Sequence, residues 1–167
     1  LCEFDCAIEI GPGTTCVDYV CELRECSGTT ADCDGDIGNG CETQTATDEF
    51  NCGGCGTVCS VRNASEICLG GACSIDECAP GYEDCDGIYA TGCEVNLNND
   101  PRNCGGCGDN CDFPSANEVC LAGTCAIGSC QGTTANCDDV IDNGCEVNLA
   151  TDELNCGSCG NGCDIPN

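Results

Sequence analysis

The stretch Asn51-Cys52-Gly53-Gly54-Cys55-Gly56, which continues to Cys59, decides the fold of this chain. It returns at residues 103–111 and again at residues 155–163, with its three cysteines at the same spacing each time. Both displacements are 52 residues. A fixed period of this length indicates that the chain repeats one small structural unit.

All the cysteines fall on this period. The first full copy contains Cys26, Cys33, Cys41, Cys52, Cys55, Cys59, Cys68 and Cys73, and the second, 52 residues further on, contains Cys78, Cys85, Cys93, Cys104, Cys107, Cys111, Cys120 and Cys125. A third copy contributes Cys130, Cys137, Cys145, Cys156, Cys159 and Cys163. Before the first copy, Cys16 and Cys21 match Cys68 and Cys73, while Cys2 and Cys6 match Cys55 and Cys59 if one extra residue separates the pairs. The predicted domains are therefore the C-terminal part of a repeat at 1–25, full repeats at 26–77 and 78–129, and the N-terminal part of a repeat at 130–167.

The composition favours covalent crosslinks over a packed core. Cysteine supplies 26 of the 167 residues, whereas aromatic residues make up 4% and Trp and Met are absent. A chain so rich in cysteine and so poor in large apolar side chains is typical of disulfide scaffolds, which persist in oxidising compartments outside the cytosol. We therefore predict an extracellular or cell-surface protein. The absence of Met also predicts that Leu1 is not a translation start.

Short β-hairpins are the expected secondary structure. Residues 67–75 alternate about the pair Gly70-Gly71, and residues 119–127 alternate about Ala122-Gly123, as in hairpins with two-residue turns. Residues 92–97 and 144–149 alternate as short strands, and Asp100 and Asp152 follow them as N-caps for one helical or 3-10 turn. The predicted fold class is small, disulfide-rich and mostly irregular with short β-hairpins, in a tandem repeat array that forms an elongated rod.

The cysteine pairing is not determined by the sequence, since eight cysteines allow about a hundred arrangements. Our hypothesis is that each repeat contains two closed modules of four cysteines, one from Cys26 to Cys52 and one from Cys55 to Cys73. In the third copy, this split predicts that Cys159 and Cys163 bond to each other or have partners beyond Asn167.

The charge excludes several classes of partner. The chain has 30 acidic and 3 basic residues, no His, and a formal net charge of −27. Such a surface repels nucleic acid and anionic membranes, and no apolar run approaches the ~18 residues of a membrane span. Because His and Lys are absent, the usual general bases and nucleophile activators are missing, and we predict no enzyme activity.

The residues around the repeated stretch carry a family resemblance. Asp32-Cys33-Asp34-Gly35, Asn39-Gly40-Cys41-Glu42, Thr47-Asp48 and the 51–59 stretch together resemble the cysteine-rich tandem repeats of predicted secreted bacterial proteins, myxobacterial ones especially. Residues 51–73 are also similar to the stigma-specific cysteine-rich family of plants, with its Asn-Cys-Gly-x-Cys-Gly core and closing Gly-x-Cys hairpin. The resemblance implies a location at the cell surface or outside the cell, and it brings no catalytic site.

Three Cys-x-x-Cys pairs are candidate reactive sites: Cys52/Cys55, Cys104/Cys107 and Cys156/Cys159. They could be structural disulfides, metal thiolates or redox dithiols. A zinc or iron–sulfur site normally needs two such arms or a His, and each repeat offers one arm and no His. A thioredoxin-like motif needs a βαβ context that is missing. We favour structural disulfides and expect no required cofactor.

An acidic turn is a candidate calcium site. Its residues are Asp32, Asp34, Asp36 and Glu42, which alternate loosely as in calcium loops, where a hard cation takes six to eight oxygens on a tight turn. One Asp and the Glu persist in every copy, whereas Asp36 is replaced by Ile88 and Val140. The alternative is a solvated acidic turn in which the Asp forms an Asx-turn. Both interpretations stay open.

Glycosylation is predicted in the loops. Asn63-Ala64-Ser65 is the one Asn-x-Ser/Thr triplet of the chain, a weak pattern by itself. The candidates for O-linked glycans are the threonine pairs Thr29, Thr30 and Thr133, Thr134.

These features predict an extracellular structural protein, a disulfide-stapled repeat unit of a rigid rod or head-to-tail fibril whose partners are copies of itself. The alternative is a secreted adhesin or ligand-binding module on the same scaffold. In that case the loops that differ between copies, at 27–30, 79–82 and 131–134, carry the function.

Overall fold

The computed structural model describes residues 14–18, 20–23, 26 and 28–163. These residues form short strands, turns and two 3-10 turns, with no α-helix among them. The strands are β1 (Thr14–Val17), β2 (Val20–Leu23), β3 (Thr30–Ala31), β4 (Thr43–Gln44), β5 (Ala64–Leu69), β6 (Ala72–Cys78), β7 (Tyr82–Glu83), β8 (Val95–Asn96), β9 (Ala116–Leu121), β10 (Thr124–Cys130), β11 (Thr134–Ala135) and β12 (Val147–Asn148). Each odd-numbered strand pairs with the even-numbered strand after it, so every sheet in the described part of the chain is a two-stranded antiparallel ribbon.

The longest ribbons are the two predicted hairpins. In β5–β6 the turn residues Gly70 and Gly71 both have positive φ, at 62° and 82°, which is the backbone that a two-residue type I′ turn requires. This turn places Cys68 directly opposite Cys73. The β9–β10 ribbon repeats the arrangement with Cys120 opposite Cys125. The hairpin predictions are therefore confirmed.

The remaining ribbons are short, as the alternation at 92–97 and 144–149 predicts. Each contributes a two-residue strand, β8 and β12. The carboxylate of Asp100 does accept a hydrogen bond from the main-chain N–H of Arg102 at 3.0 Å, but the residues after it form isolated turns. In place of the expected helical or 3-10 turn the chain makes a single reverse turn, in which the N–H of Asn103 donates to the carbonyl oxygen of Asp100 at 3.1 Å. The 3-10 turns lie instead at Tyr89–Thr91 and Ile141–Asn143.

Disulfides take the place of a hydrophobic core. Among the described residues, every buried apolar residue except Ala116 is a cysteine. Large apolar side chains lie outside: Phe50 is 68% exposed and Leu154 is 76% exposed. In the described part of the chain the crosslinks themselves therefore form the buried core.

The chain divides into two compact units. One contains Leu1–Cys78 and Gly87–Gly92, and the other contains Ala79–Asp86 and Cys93–Asn167. No helix in the described part of the chain has the length and apolar character needed to span a membrane.

Candidate functional site

Most of the disulfides follow one pairing pattern at equivalent positions, and Cys156–Cys163 in the third copy is the exception. The first copy contains Cys26–Cys41, Cys33–Cys55, Cys52–Cys68 and Cys59–Cys73. The second contains Cys85–Cys107, Cys104–Cys120 and Cys111–Cys125, and its Cys78 and Cys93 are also disulfide-bonded. The third contains Cys130–Cys145 and Cys137–Cys159. In every copy the second cysteine bonds to the fifth, across 22 residues.

The predicted split into two four-cysteine modules is wrong. Cys33–Cys55 and Cys52–Cys68 each join a cysteine of one predicted module to a cysteine of the other. The cause is the turn between Cys52 and Cys55, where Gly53 has φ +76°. Cys52 is buried against the hairpin, whereas Cys55 is exposed and its sulfur lies 3.6 Å from the carbonyl oxygen of Asp32.

The prediction for the third copy is also wrong. Cys159 bonds to Cys137 rather than to Cys163, and Cys163 bonds to Cys156.

The Cys-x-x-Cys pairs are neither dithiols nor metal thiolates. The two cysteines of each pair belong to different disulfides, and there is no free cysteine among the described residues. The sulfurs of Cys52, Cys59 and Cys73 lie within 4.8 Å of one another, a spacing that a metal site would have. They belong to two adjacent disulfides, however, so none of them is a thiolate that could bind a cation.

The acidic turn of the first copy is held by its own carboxylates. Oxygens of Asp32, Asp34 and Glu42 lie within 4.8 Å of one another. Asp32 accepts a hydrogen bond from the N–H of Gly35 at 2.7 Å, and Asp34 accepts bonds from the N–H of Asp36 at 2.9 Å and the side-chain amide of Asn39 at 2.9 Å. These bonds make the Asx-turns that the sequence suggests. Asp36 stands outside the three-carboxylate group, and its carboxylate accepts from the N–H of Gly38 at 2.8 Å.

A glutamate in each copy hydrogen-bonds to the main chain of the acidic turn. Glu42 accepts a hydrogen bond from the main-chain N–H of Cys33 at 3.0 Å. Glu94 and Glu146 accept the equivalent bonds from Cys85 at 3.1 Å and Cys137 at 2.9 Å. The sequence shows that this Glu persists but does not reveal its partner. The available signal is its constant spacing of nine residues from a cysteine.

These bonds keep the turn carboxylates charged. The N–H of Asp36 and the amide of Asn39 stabilise the Asp34 carboxylate and hold its pKa below the ordinary value. The N–H of Val140, with the amide of Asn143, lowers the pKa of Asp138 in the same way. The N–H of Cys33 is the main cause of the lowered pKa of Glu42. Each of these groups is therefore an anion at neutral pH, which favours hydrogen bonding to main-chain N–H groups.

Two buried oxygens near these turns lack hydrogen-bond partners. In the second copy Glu94 uses Oε1 to accept from Cys85, while its Oε2 is buried and unpartnered. Oxygens of Asp84, Asp86 and Glu94 again lie within 4.8 Å of one another. In the third copy Asn136 replaces Asp84, and its Oδ1 is also buried without a partner. Buried polar atoms normally have a partner, so these two oxygens mark positions where a cation, water or proton would be stabilised.

The predicted glycosylation residues differ in accessibility. Asn63 is half-buried with φ +53°, directly before β5. The hydroxyl groups of Thr133 and Thr134 hydrogen-bond to Asn148 and Gln131, and Thr30 lies half-buried in β3. Thr29 is exposed in a turn, and Thr133 is exposed as well.

The fold and its sites define a small, disulfide-rich protein of short antiparallel ribbons. Comparison with protein-family models, with curated proteins and with solved structures found no match.

Proposed function

We propose that this protein is an extracellular structural protein, a disulfide-stapled repeat unit of a rigid rod or head-to-tail fibril at the cell surface. The observation that carries the proposal is that every buried hydrophobic residue in the described part of the chain, Ala116 excepted, is a cysteine. A fold built on crosslinks suits a load-bearing material, because it withstands conditions that would melt a small hydrophobic core. Many disulfides are also compatible with a secreted protein.

The repetition of the pairing supports a mechanical role. Equivalent disulfides of the first and second copies close loops of the same length, such as the separations of 16 residues in Cys52–Cys68 and Cys104–Cys120. Each loop closure is worth about 3 kcal/mol in the unfolded chain. Stability is thereby spread evenly along the chain, as a rod under tension requires.

The negative charge of the chain favours end-to-end contact over side-by-side contact between molecules. A net charge of −27 per chain opposes side-by-side packing of fibrils. End-to-end contact brings together a smaller part of this charge than side-by-side contact does. Glycans on Thr29 or Asn63 would add hydration along the sides, which is consistent with a single-stranded fibril.

Electron microscopy of the purified protein tests the proposal. We expect fibrils one molecule wide with a regular axial repeat, and we expect them to persist in protease. Treatment with a reductant should dissolve them. Isolated particles of single-chain mass at every concentration would contradict the fibril and favour the adhesin alternative.

We propose in addition that calcium binds at the acidic turn of the second copy. The specific support is the buried, unpartnered Oε2 of Glu94 beside Asp84 and Asp86. Three carboxylates this close repel one another, and a hard divalent cation with oxygen ligands relieves the repulsion.

Calcium titration after chelation, followed by NMR, tests this second proposal. Millimolar Ca²⁺ should shift the main-chain signals of Cys85 and Glu94, and Glu94→Gln should remove the response because it replaces one of the three carboxylates. Glu77→Gln is the matched control, since Glu77 is exposed on β6. An unchanged response in Glu94→Gln would rule the site out.

A further inference from the structure

Each of the two full copies has one disulfide that is open to solvent. Among the described cysteines of these two copies, only Cys55 and Cys107 are exposed, and their partners Cys33 and Cys85 are half-buried. The other cysteines include a buried partner for each hairpin disulfide, with an exposed fraction of 7% or less: Cys52, Cys59, Cys68, Cys104, Cys111 and Cys120. Because exchange requires access to a sulfur, a dissolved thiol can reach one disulfide of each copy before the others.

The exposed disulfide is also the one that joins the two parts of its copy. In the first copy a head loop, residues 26–41, is closed by its own disulfide, and a hairpin part, residues 52–73, is closed by two. Of the four disulfides of this copy, only Cys33–Cys55 connects the head loop to the hairpin part. Opening it would leave both parts closed.

Hydrogen bonds also connect the two parts of the copy. In the head loop the carbonyl oxygen of Thr29 accepts from the hydroxyl of Thr45 at 3.0 Å, and β3 pairs with β4. The carbonyl oxygen of Thr45 accepts in turn from the N–H of Gly53 at 2.8 Å. Loss of the Cys33–Cys55 bond therefore changes the acidic turn without unfolding the copy.

Carboxylates surround the exposed disulfide. Cys33 lies between Asp32 and Asp34 in the sequence, and its main-chain N–H donates to the carboxylate of Glu42 at 3.0 Å. Oxygens of the three carboxylates lie within 4.8 Å of one another, and those of Asp84, Asp86 and Glu94 do so beside Cys85. The chain as a whole has a net charge of −27. An anionic thiol is repelled on its approach to such a site, whereas a thiol with a positive group is attracted.

We propose that Cys33–Cys55 and Cys85–Cys107 are thiol-exchange sites that select small cationic thiols. The thiol becomes attached to Cys55 or Cys107 as a mixed disulfide, while the hairpins stay closed. The modification releases the acidic turn from the hairpin part of its copy. This inference goes beyond the fibril proposal and does not depend on it.

The exchange consumes no oxidant or reductant other than the thiol itself. The thiolate of an aminothiol attacks the sulfur of Cys55, a bond forms between these two sulfurs, and the Cys33–Cys55 bond breaks. Cys33 leaves with the electron pair as a thiolate and takes a proton from water. One disulfide replaces another, and one thiol replaces another. The attack is directed at Cys55 because Cys33 is the less accessible of the two.

Brief treatment of the full chain with cysteamine tests the site. Iodoacetamide then traps the released thiols, and peptide mapping locates both labels. We expect cysteamine on Cys55 and Cys107 and alkylation of Cys33 and Cys85, before the hairpin disulfides of the first and second copies react. Early modification of those hairpin disulfides, or cysteamine on Cys33 with alkylation of Cys55, would overturn the proposal.

A comparison of thiols tests the selection by charge. Each thiol's rate at Cys55 is divided by its rate with a small neutral disulfide, which removes differences in intrinsic reactivity. Cysteamine should then react about tenfold faster than the anionic glutathione at low salt. The advantage should nearly disappear at about 1 M salt, where charges are screened. A ratio near one at low salt would contradict the selection.

Asp32→Asn provides a variant with its own internal control. The third copy carries Asn136 at this position, and an amide oxygen can still accept the hydrogen bond from Gly35. We expect glutathione to open Cys33–Cys55 about twofold faster in the variant, because one nearby negative charge is lost. Cys85–Cys107 in the same chain should react at its original rate. Equal rates at Cys33–Cys55 with and without the substitution would overturn the role of the acidic turn.

NMR spectra of the cysteamine-modified chain show what the exchange releases. We expect amide shifts at residues 32–42, with the amide signals of the β5–β6 hairpin unchanged. Cys33→Ser with Cys55→Ser should give the same pattern without any thiol, since it removes the same bond. Collapse of the hairpin signals in either sample would contradict a local release.

Discussion

Complete reduction and alkylation of the cysteines should unfold both units of the protein. We expect the hairpin amide signals to collapse to random-coil positions in NMR spectra and the chain to become rapidly digestible by proteases. The reason is that the buried apolar residues of the described chain are cysteines, Ala116 excepted, so alkylation removes the core together with the crosslinks. The untreated protein in the same buffer is the control.

The size of this effect follows from loop closure. The disulfides of the first copy close loops of 14 to 22 residues, and each contributes about 3 kcal/mol by restricting the unfolded chain. Four such bonds per copy add up to roughly the whole stability of a typical domain, about 5–15 kcal/mol. Retention of native amide dispersion after full alkylation would show that packing and hydrogen bonds suffice, and would contradict this account.

The hairpins could be predicted because their signals are local. Gly70-Gly71 flanked by alternating residues specifies a two-residue turn, and the turn alone places Cys68 opposite Cys73. The same holds for the Asx-turn of Asp34, whose partners lie two and five residues away. Features that depend on neighbours along the chain can therefore be predicted from the sequence alone.

The disulfide partners could not be predicted because they depend on which way each cysteine faces. Cys52 and Cys55 are three residues apart, yet one bonds forward to the hairpin and the other back to Cys33. Gly53, which lies between the two cysteines, has a positive φ, and the turn there lets them bond in different directions. The sequence indicates only that glycine permits such a φ. The buried, unpartnered oxygen of Glu94 could not be predicted either, because its lack of a hydrogen-bond partner depends on atoms that the fold brings together.

The second large effect is expected for Gly144→Ala. Gly144 has φ +70° and ψ −133°, a backbone conformation that side chains strongly disfavour. An added Cβ would also lie 2.7 Å from the nitrogen and 2.9 Å from the carbonyl carbon of Pro114. Since the neighbouring Cys145 N–H donates to Pro114 O at 2.8 Å, the loop cannot move away without losing that bond. We expect a loss of about 4 kcal/mol, from strain and overpacking together.

Calorimetry with the disulfides intact measures the change. Gly144→Ala should lower the unfolding midpoint of its unit by about 15 °C or more. Gly132→Ala is the matched control, because Gly132 has φ +61° but an added Cβ would meet nothing within 4 Å. Gly132→Ala should lower the free energy of unfolding by only about 1–2 kcal/mol, which is the cost of a side chain at a positive φ. Gly92→Ala repeats the test in the other unit, where the Cβ would lie 2.7 Å from the nitrogen of Arg62. Equal shifts for Gly144→Ala and Gly132→Ala would mean that the contact with Pro114 contributes nothing, since both variants carry the cost of a positive φ and only one of them carries the clash.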